Sequence, residues 1–252
     1  MNAPERLPRR RHRRMVDVHT HILPGMDDGS GSTSESLQML AALNTQGADT
    51  VVLSPHFYSD REALPHFLER RAQAFQMLKE AMSSFGEPLP QVLLGAEVWY
   101  FDGMSRASAL KSLCIEGTDL LLLEMPFERW SDSDLQEIIR LQDSGEFTVL
   151  LAHIDRYLPW QKTRTWESLL AHGVRMQANA SCFTERRTSR KALRLFRDGQ
   201  IHLLGSDAHN LTSRPPDIGQ AVVQLRQAFG DEALQLLSEN ERQLGLAAEV
   251  LI

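Results

Sequence analysis

Residues of metal-ligating type stand where apolar runs of this chain end. The first run, Met15-Val16-Asp17-Val18, closes on His19-Thr20-His21. Alternation along an extended chain puts both imidazoles on one side. Neutral imidazoles so placed suit a borderline divalent cation. By itself His-x-His is weak, because short histidine pairs arise by chance. The pattern repeats, however. His56 follows the run 50–53, Glu97 the run 91–94, His153 the run 147–151, and Asp207 and His209 the run 201–204. His, Asp and Glu without thiolate suit Zn²⁺, Mn²⁺ or Fe. Carboxylates can bridge two ions, and bridged ions supply a hydroxide nucleophile near neutral pH.

These residues matter together only if the elements bring them together. Helical spacing is expected over 32–46, 61–84, 132–144, 165–171, 188–197, 221–229 and 232–237. Strands are expected over 16–18, 50–53, 91–94, 119–123, 147–151, 174–178 and 201–204. Strand and helix alternate and the strands are mostly apolar, which argues a parallel sheet covered by helices. Seven strand signals fit a closed or nearly closed α/β barrel better than an open sheet. In such a barrel the ends of the strands meet at one rim, where these folds place their sites.

Each residue also has a plainer reading. Glu97 and Asp207 would be costly to bury without partners at the ends of apolar strands, which favours cations. His56, after Pro55, could be a loop histidine, and Asp27-Asp28-Gly29 is also ordinary turn chemistry. Glu124 ends a strand as well and reads as a supporting residue or a structural ion pair. Trp99 and Tyr100 could stack on an aromatic substrate, but core packing is the stronger reading. His12, His66, His172 and His202 fall off the pattern and read as non-ligands.

Composition narrows the classes. The chain has 252 residues, 42% of them apolar, and a net charge of -6, which argues against a general nucleic-acid binder. There is no apolar run long enough to span a bilayer. Cys114 and Cys182 make no disulfide framework and point to a reducing, cytoplasmic setting. Neither is followed by Arg six residues later, since Leu120 and Thr188 stand there. The loop of cysteine phosphatases is therefore missing, and both thiols read as buried apolar groups. Residues 1–14 carry six arginines with Pro4 and Pro8. They read as a disordered tail before a single unit over 15–252, in preference to an arm for acidic lipid or polyphosphate.

His19-Thr20-His21, Asp27-Asp28-Gly29, Ser54-Pro55-His56, Gly95-Ala96-Glu97, Ala152-His153 and Gly205-Ser206-Asp207-Ala208-His209-Asn210 resemble the motifs of the PHP (polymerase and histidinol phosphatase) superfamily. The finer resemblance is to the PHP-type protein tyrosine phosphatases of bacterial capsule and exopolysaccharide loci. It rests on the His-x-His…Asp-Asp-Gly opening, His153-Ile154-Asp155-Arg156-Tyr157, and Ser206-Asp207-Ala208-His209-Asn210 followed by Arg214-Pro215-Pro216. The resemblance implies a distorted (β/α)₇ TIM-like barrel and a cluster of about three ions, usually Mn²⁺. His19, His21, Glu97 and Asp207 would hold one ion. Glu97 would bridge to a second, held by His56 and His153. Asp28 and His209 would help hold a third, with Asp27 a weaker candidate. Arg156 and Arg214 would grip the phosphate, a role suited to a planar, permanently charged fork. Without the resemblance, Arg156 could pair with a surface acid and Arg214 could brace the Pro215-Pro216 turn. The family usually carries Pro and Glu where this chain has Ile154 and Asp155.

The implied activity is hydrolysis of phosphotyrosine on a bacterial tyrosine autokinase that governs capsule or exopolysaccharide synthesis. The alternative within the superfamily is a phosphoesterase for small molecules such as histidinol phosphate. An amidohydrolase also opens with His-x-His, but commonly uses a carbamylated Lys on its fourth strand, where this chain has Glu124. A regulator that binds a kinase tail without catalysis is disfavoured by the intact ligand positions. Homo-oligomerisation is left open.

Overall fold

The computed structural model describes residues 15–246, so the arginine-rich segment 1–14 lies outside the described residues. The first element, β1 (Val16–Thr20), is buried along its whole length. Its Val, Asp, Val alternation carries a register shift against the next strand between Asp17 and Thr20. Irregularities of this kind re-aim side chains beside active sites. Next comes α1 (Thr33–Thr45), capped by the Ser32 hydroxyl, which accepts from the Glu35 N–H.

Two of the seven expected strands are each followed, after a break, by a short further strand that the spacing does not predict. Ser54-Pro55 separates β2 (Thr50–Leu53) from β3 (His56–Phe57). Proline has no N–H to give a ladder, so the pairing lapses there. Then α2 (Leu64–Ser84) starts three residues later than the spacing predicts, with Pro65 in its first turn. Gly95-Ala96 separates β4 (Gln91–Leu94) from β5 (Glu97–Trp99). A side chain at Gly95 would crowd Val52 and Ile115.

The remainder alternates as expected. It runs β6 (Leu120–Glu124), α3 (Asp132–Asp143), β7 (Thr148–Leu151), a short α4 (Ile154–Tyr157), α5 (Thr163–Ala171), β8 (Arg175–Asn179), α6 (Ser189–Arg197), β9 (Leu203–Gly205), α7 (Ile218–Phe229) and α8 (Asp231–Gln243). Between β5 and β6 the chain makes short 3₁₀ turns in place of a helix, and α4 had no periodicity to reveal it.

Among the described residues, all strand pairings are parallel. The ladders are β1-β2-β4 and β3-β5-β6-β7-β8-β9. The chain itself links them, because β3 continues β2 and β5 continues β4. The far edges also meet. The His21 N–H donates to the Ala208 carbonyl at 2.9 Å and the Asp207 N–H to the His19 carbonyl at 2.8 Å. The result is a curled parallel sheet with helices packed outside. Val16, Val18, Val52, Leu120, Leu122, Leu150 and Leu203 form one buried cluster. The alternate residues Leu121, Leu123, Val149 and Leu151 join a second cluster with the helices. This is the period-2 division of a sheet buried on both faces. Among the described residues, no helix is long and apolar enough to cross a membrane.

Candidate metal centre

The sheet gathers the strand-end residues at one rim. His19 lies near the end of β1 and His21 just after it, His56 opens β3, Glu97 opens β5, Glu124 ends β6, His153 follows β7 and Asp207 follows β9. At the centre is Glu97. Its Oε2 lies 3.2 Å from His19 Nε2, 3.3 Å from His21 Nε2 and 2.9 Å from His56 Nδ1. Its Oε1 lies 2.9 Å from His153 Nε2. Asp207 Oδ1 lies 3.6 Å from His19 Nε2 and 3.4 Å from His21 Nε2. Asp28 Oδ1 lies 3.6 Å from His56 Nε2 and 3.5 Å from His209 Nε2.

Three groupings bring ligand atoms close enough to share a cation. They are His19, His21 and Asp207; His56, Glu97 and Glu124; and His21, Asp28, His56 and His209. His153 Nε2 touches the second group through Glu97 and through Glu124 Oε1 at 3.3 Å. Glu124, read from sequence as a supporting residue, thus stands among the candidate ligands. Its signal was the same strand-end position the others share. Asp27 has another job. Its Oδ2 accepts from His21 Nδ1 at 2.8 Å and from the His56 backbone N–H at 2.9 Å, so it orients two histidines.

The donor set fits cations. Glu97 Oε2, Glu124 Oε2, His56 Nδ1 and His209 Nε2 are buried yet make no hydrogen bond among the described residues. Buried polar atoms are normally satisfied. His19 Nε2 and His21 Nε2 face each other at 3.1 Å, so lone pairs and acids converge on the same space. Burial works against the charge on Glu97, but His19 and His153 outweigh it and hold its carboxyl well below the usual range. Burial likewise opposes charge on His153, but Glu124 and Glu97 raise its pKa to about 9. For His209, burial and the neighbouring His21 push it down to about 4.

Two backbone positions in the site are left-handed without being glycine, His153 at φ 30° and Asp207 at φ 54°. Such conformations are held only where surroundings over-determine them. The His153 N–H donates to Gln177 Oε1 at 2.6 Å, and that oxygen also meets His19 Nδ1 at 3.2 Å. Gln177 Nε2 donates to Asn179, and Asn179 Nδ2 donates to Asp207 Oδ2 at 3.0 Å. These amides supply the contribution of β8, which sequence reasoning left without a role. Their signal was the alternation Arg175, Gln177, Asn179, which puts polar side chains on one face of β8. Asp17 was also missed. It is buried, accepts from the Ser206 N–H at 2.9 Å, and burial raises its carboxyl to about 6. Glycine is required twice. A Cβ at Gly205 would stand 2.5 Å from that of His19, and one at Gly29 would overlap His21.

Arg156 and Arg214 both reach the rim. Arg156 Nη2 and Arg214 Nη2 donate to the same oxygen, Asp207 Oδ2, the latter at 2.8 Å. About a third of each side chain stays exposed. The Asn210 side chain accepts from the N–H groups of Thr212, Ser213 and Arg214, and this turn sets Arg214. Asp155 Oδ1 accepts from the Asn179 N–H at 2.9 Å, and the Asp155 charge also favours the Arg156 cation. Cys114 and Cys182 are buried free thiols, and burial raises Cys114 to about 11. Of the aromatic residues, Tyr100 turns away to Asp102 and Asp134, whereas Trp99 lies on the rim between Tyr58 and Phe127.

A curled parallel sheet with His, Asp and Glu gathered at the C-terminal ends of its strands is the architecture of barrel-type metal-dependent hydrolases. Comparison with known proteins gives the family. The pattern of the capsular polysaccharide synthesis CpsB/CapC family matches residues 15–244. The tyrosine-protein phosphatase YwqE of Bacillus subtilis is 32% identical over 240 residues, 90% of this chain and 89% of that protein. The tyrosine-protein phosphatase CpsB of Streptococcus agalactiae is 29% identical over 245 residues, 91% of this chain and 98% of that one. A chain from the crystal structures of YwqE from Bacillus subtilis and CpsB from Streptococcus pneumoniae, unique metal-dependent tyrosine phosphatases, superposes with TM-score 0.75. It is 26% identical and the match covers 91% of this chain and 94% of that one. The phosphotriesterase homology protein of Escherichia coli, at TM-score 0.55 and 16% identity, shares the fold. This chain belongs to the CpsB/CapC family.

Proposed function

We propose that this protein is a metal-dependent phosphatase that removes phosphate from phosphotyrosine on proteins. The substrate in this reading is a bacterial tyrosine autokinase controlling capsule or exopolysaccharide synthesis, and the enzyme works in the cytoplasm. The observation that carries it is Glu97 Oε2 facing three imidazole nitrogens beside two arginines on Asp207. Family membership supports the same activity, since YwqE and CpsB are named tyrosine-protein phosphatases.

In this reading the curled sheet is a distorted (β/α)₇ barrel of the PHP type, counting β2 with β3 and β4 with β5 as single staves. Residues 15–252 form its catalytic unit. His19, His21 and Asp207 hold one cation, Glu97 and Glu124 with His56 and His153 a second, and Asp28 and His209 a third. The ions are Mn²⁺, with Zn²⁺ or Fe acceptable to the same donors. Such cations supply Lewis-acid chemistry and an activated water near neutral pH.

The protein's own groups do the rest. Arg156 and Arg214 take the non-bridging phosphate oxygens and neutralise the charge that grows there in the transition state. Asp207 Oδ2 keeps both guanidinium groups aimed before substrate arrives. A phenolate leaves more readily than an alkoxide, so a strong general acid is not demanded. A thiolate nucleophile has no support, because both cysteines are buried and burial raises their pKa.

The test is a substrate panel. With Mn²⁺ bound, kcat/KM should be highest for phosphotyrosine peptides and p-nitrophenyl phosphate. A higher value for histidinol phosphate or a nucleotide would shift the assignment to a small-molecule phosphoesterase.

A further inference from the structure

Three rings outside the ligand set line one side of the centre. Tyr58 lies 5.3 Å from the His56 ring, Trp99 lies 6.0 Å from Tyr58, and Phe127 lies 6.3 Å from Trp99. Phe127 then stacks on His153 at 5.7 Å and 30°. The arc therefore runs from His56 to His153, the two histidines that flank Glu97 and Glu124. The Arg156 guanidinium stands 6.0 Å from the Phe127 ring.

The three rings are not equivalent. Arg61 covers a face of Tyr58 at 4.0 Å. Trp99 is half-buried between its neighbours. Phe127 is 44% exposed although it packs on Trp99, His153 and Tyr157. A large apolar ring left in water beside a charged centre gains by being covered, and aromatic pairs form readily at centroid separations of 4.5–7 Å.

We infer that Tyr58, Trp99 and Phe127 form the platform against which the substrate's aromatic ring rests, and that Phe127 sets the preference for an aryl phosphate. This deepens the phosphotyrosine reading and rests on it. With the phosphate at Arg156, the ester oxygen of an aryl phosphate leads its ring back towards Phe127. An alkyl phosphate fills the same phosphate position and leaves the Phe127 ring uncovered. The specificity thus lies in the arc, whereas the phosphate grip lies in the arginines and the cation ligands.

Isothermal titration of the Mn²⁺-loaded full chain with phenylphosphonate and with methylphosphonate tests this without turnover. Phe127→Ala should weaken phenylphosphonate about 10-fold, the scale of one aromatic pair. Methylphosphonate should bind as to the parent, and Phe127→Tyr should restore phenylphosphonate. Parallel weakening of both ligands would mean that Phe127 only props His153 and would overturn the inference, as would no change for phenylphosphonate. Turnover of a phosphotyrosine peptide by the parent, measured alongside, separates the two levels. If it persists while the discrimination is missing, the platform alone is wrong. If it is missing with metal fully bound, the phosphotyrosine reading itself fails.

Discussion

Glu97, Asp207 and the two arginines define the chemistry at the scale of single residues. Arg156 and Arg214 share one oxygen of Asp207, so each loses its anchor if that acid is removed, whereas either arginine can be removed with the acid intact. Arg156→Ala and Arg214→Ala should each lower kcat/KM on a phosphotyrosine peptide about 100-fold, the cost of one transition-state donor, with bound metal unchanged. Steady-state kinetics with elemental analysis reads both quantities. Gln177→Ala should act differently. Its amide holds the His153 backbone and meets His19, so metal affinity should fall about 10–100-fold, the usual cost of losing a ligand's support. A metal titration would contradict this by giving parental affinity. The convergence of His19, His21, His56, Glu97, His153, Asp207 and His209 was legible in the sequence because strand ends share one rim, and Asp28 joins them from the loop after β1. Gln177 and Asn179 were not, because a buried amide satisfies a backbone as often as it supports a site. Glu124 shares the strand-end position, and only its distance to His56 and His153 separates it from a structural ion pair.

The elements hold these residues by tying β1 to distant parts of the chain. Glu241 on α8 accepts from the Val16 N–H at 3.0 Å, while its other oxygen is buried without a hydrogen bond among the described residues. Burial raises this carboxyl from 4.5 to about 8, with Asp49 adding to the shift. The folded state therefore binds a proton that the unfolded chain releases near pH 4.5. This contribution to stability is complete below pH 4.5 and is lost as pH rises to about 8. Glu241→Gln keeps an oxygen for Val16 and cannot ionise. Its advantage over the parent should grow across that window to the order of a few kcal/mol. Urea unfolding at pH 5 and pH 8.5 measures it, and equal differences at the two pH values would refute it. Most helices were legible from spacing to within about three residues, but α8 runs six residues past its expected end and the short α4 was not expected. The breaks inside two strands were not, because Pro55 and Gly95 read as run endings, and the continuation after each is only two or three residues long.

In the whole molecule, the site also lies where the first and last strands of the curled sheet meet. His19 and His21 exchange backbone hydrogen bonds with Asp207 and Ala208, residues nearly two hundred positions away. A cation shared by His19, His21 and Asp207 would fasten the same seam. Metal at 100 times its dissociation constant should thus stabilise the fold by about 2.7 kcal/mol. For a chain of this size that is a rise in Tm of roughly 5–10 °C. Differential scanning calorimetry of chelated and Mn²⁺-loaded protein reads it, and coincident transitions would separate the site from the seam. The curled α/β class was legible because strands and helices alternate along the chain. Seven strand signals also pointed to closure or near-closure, but which strands meet was not legible, because the pairing of first and last strands leaves no local signal.

Metal dependence is tested most directly by turnover of a phosphotyrosine peptide before chelation, after it, and after Mn²⁺ is restored. Activity should disappear with the metal and return with it, and His153→Ala should not regain it. Activity that survives complete removal of metal, or that stays absent when metal is fully bound, would contradict a metal-dependent phosphatase.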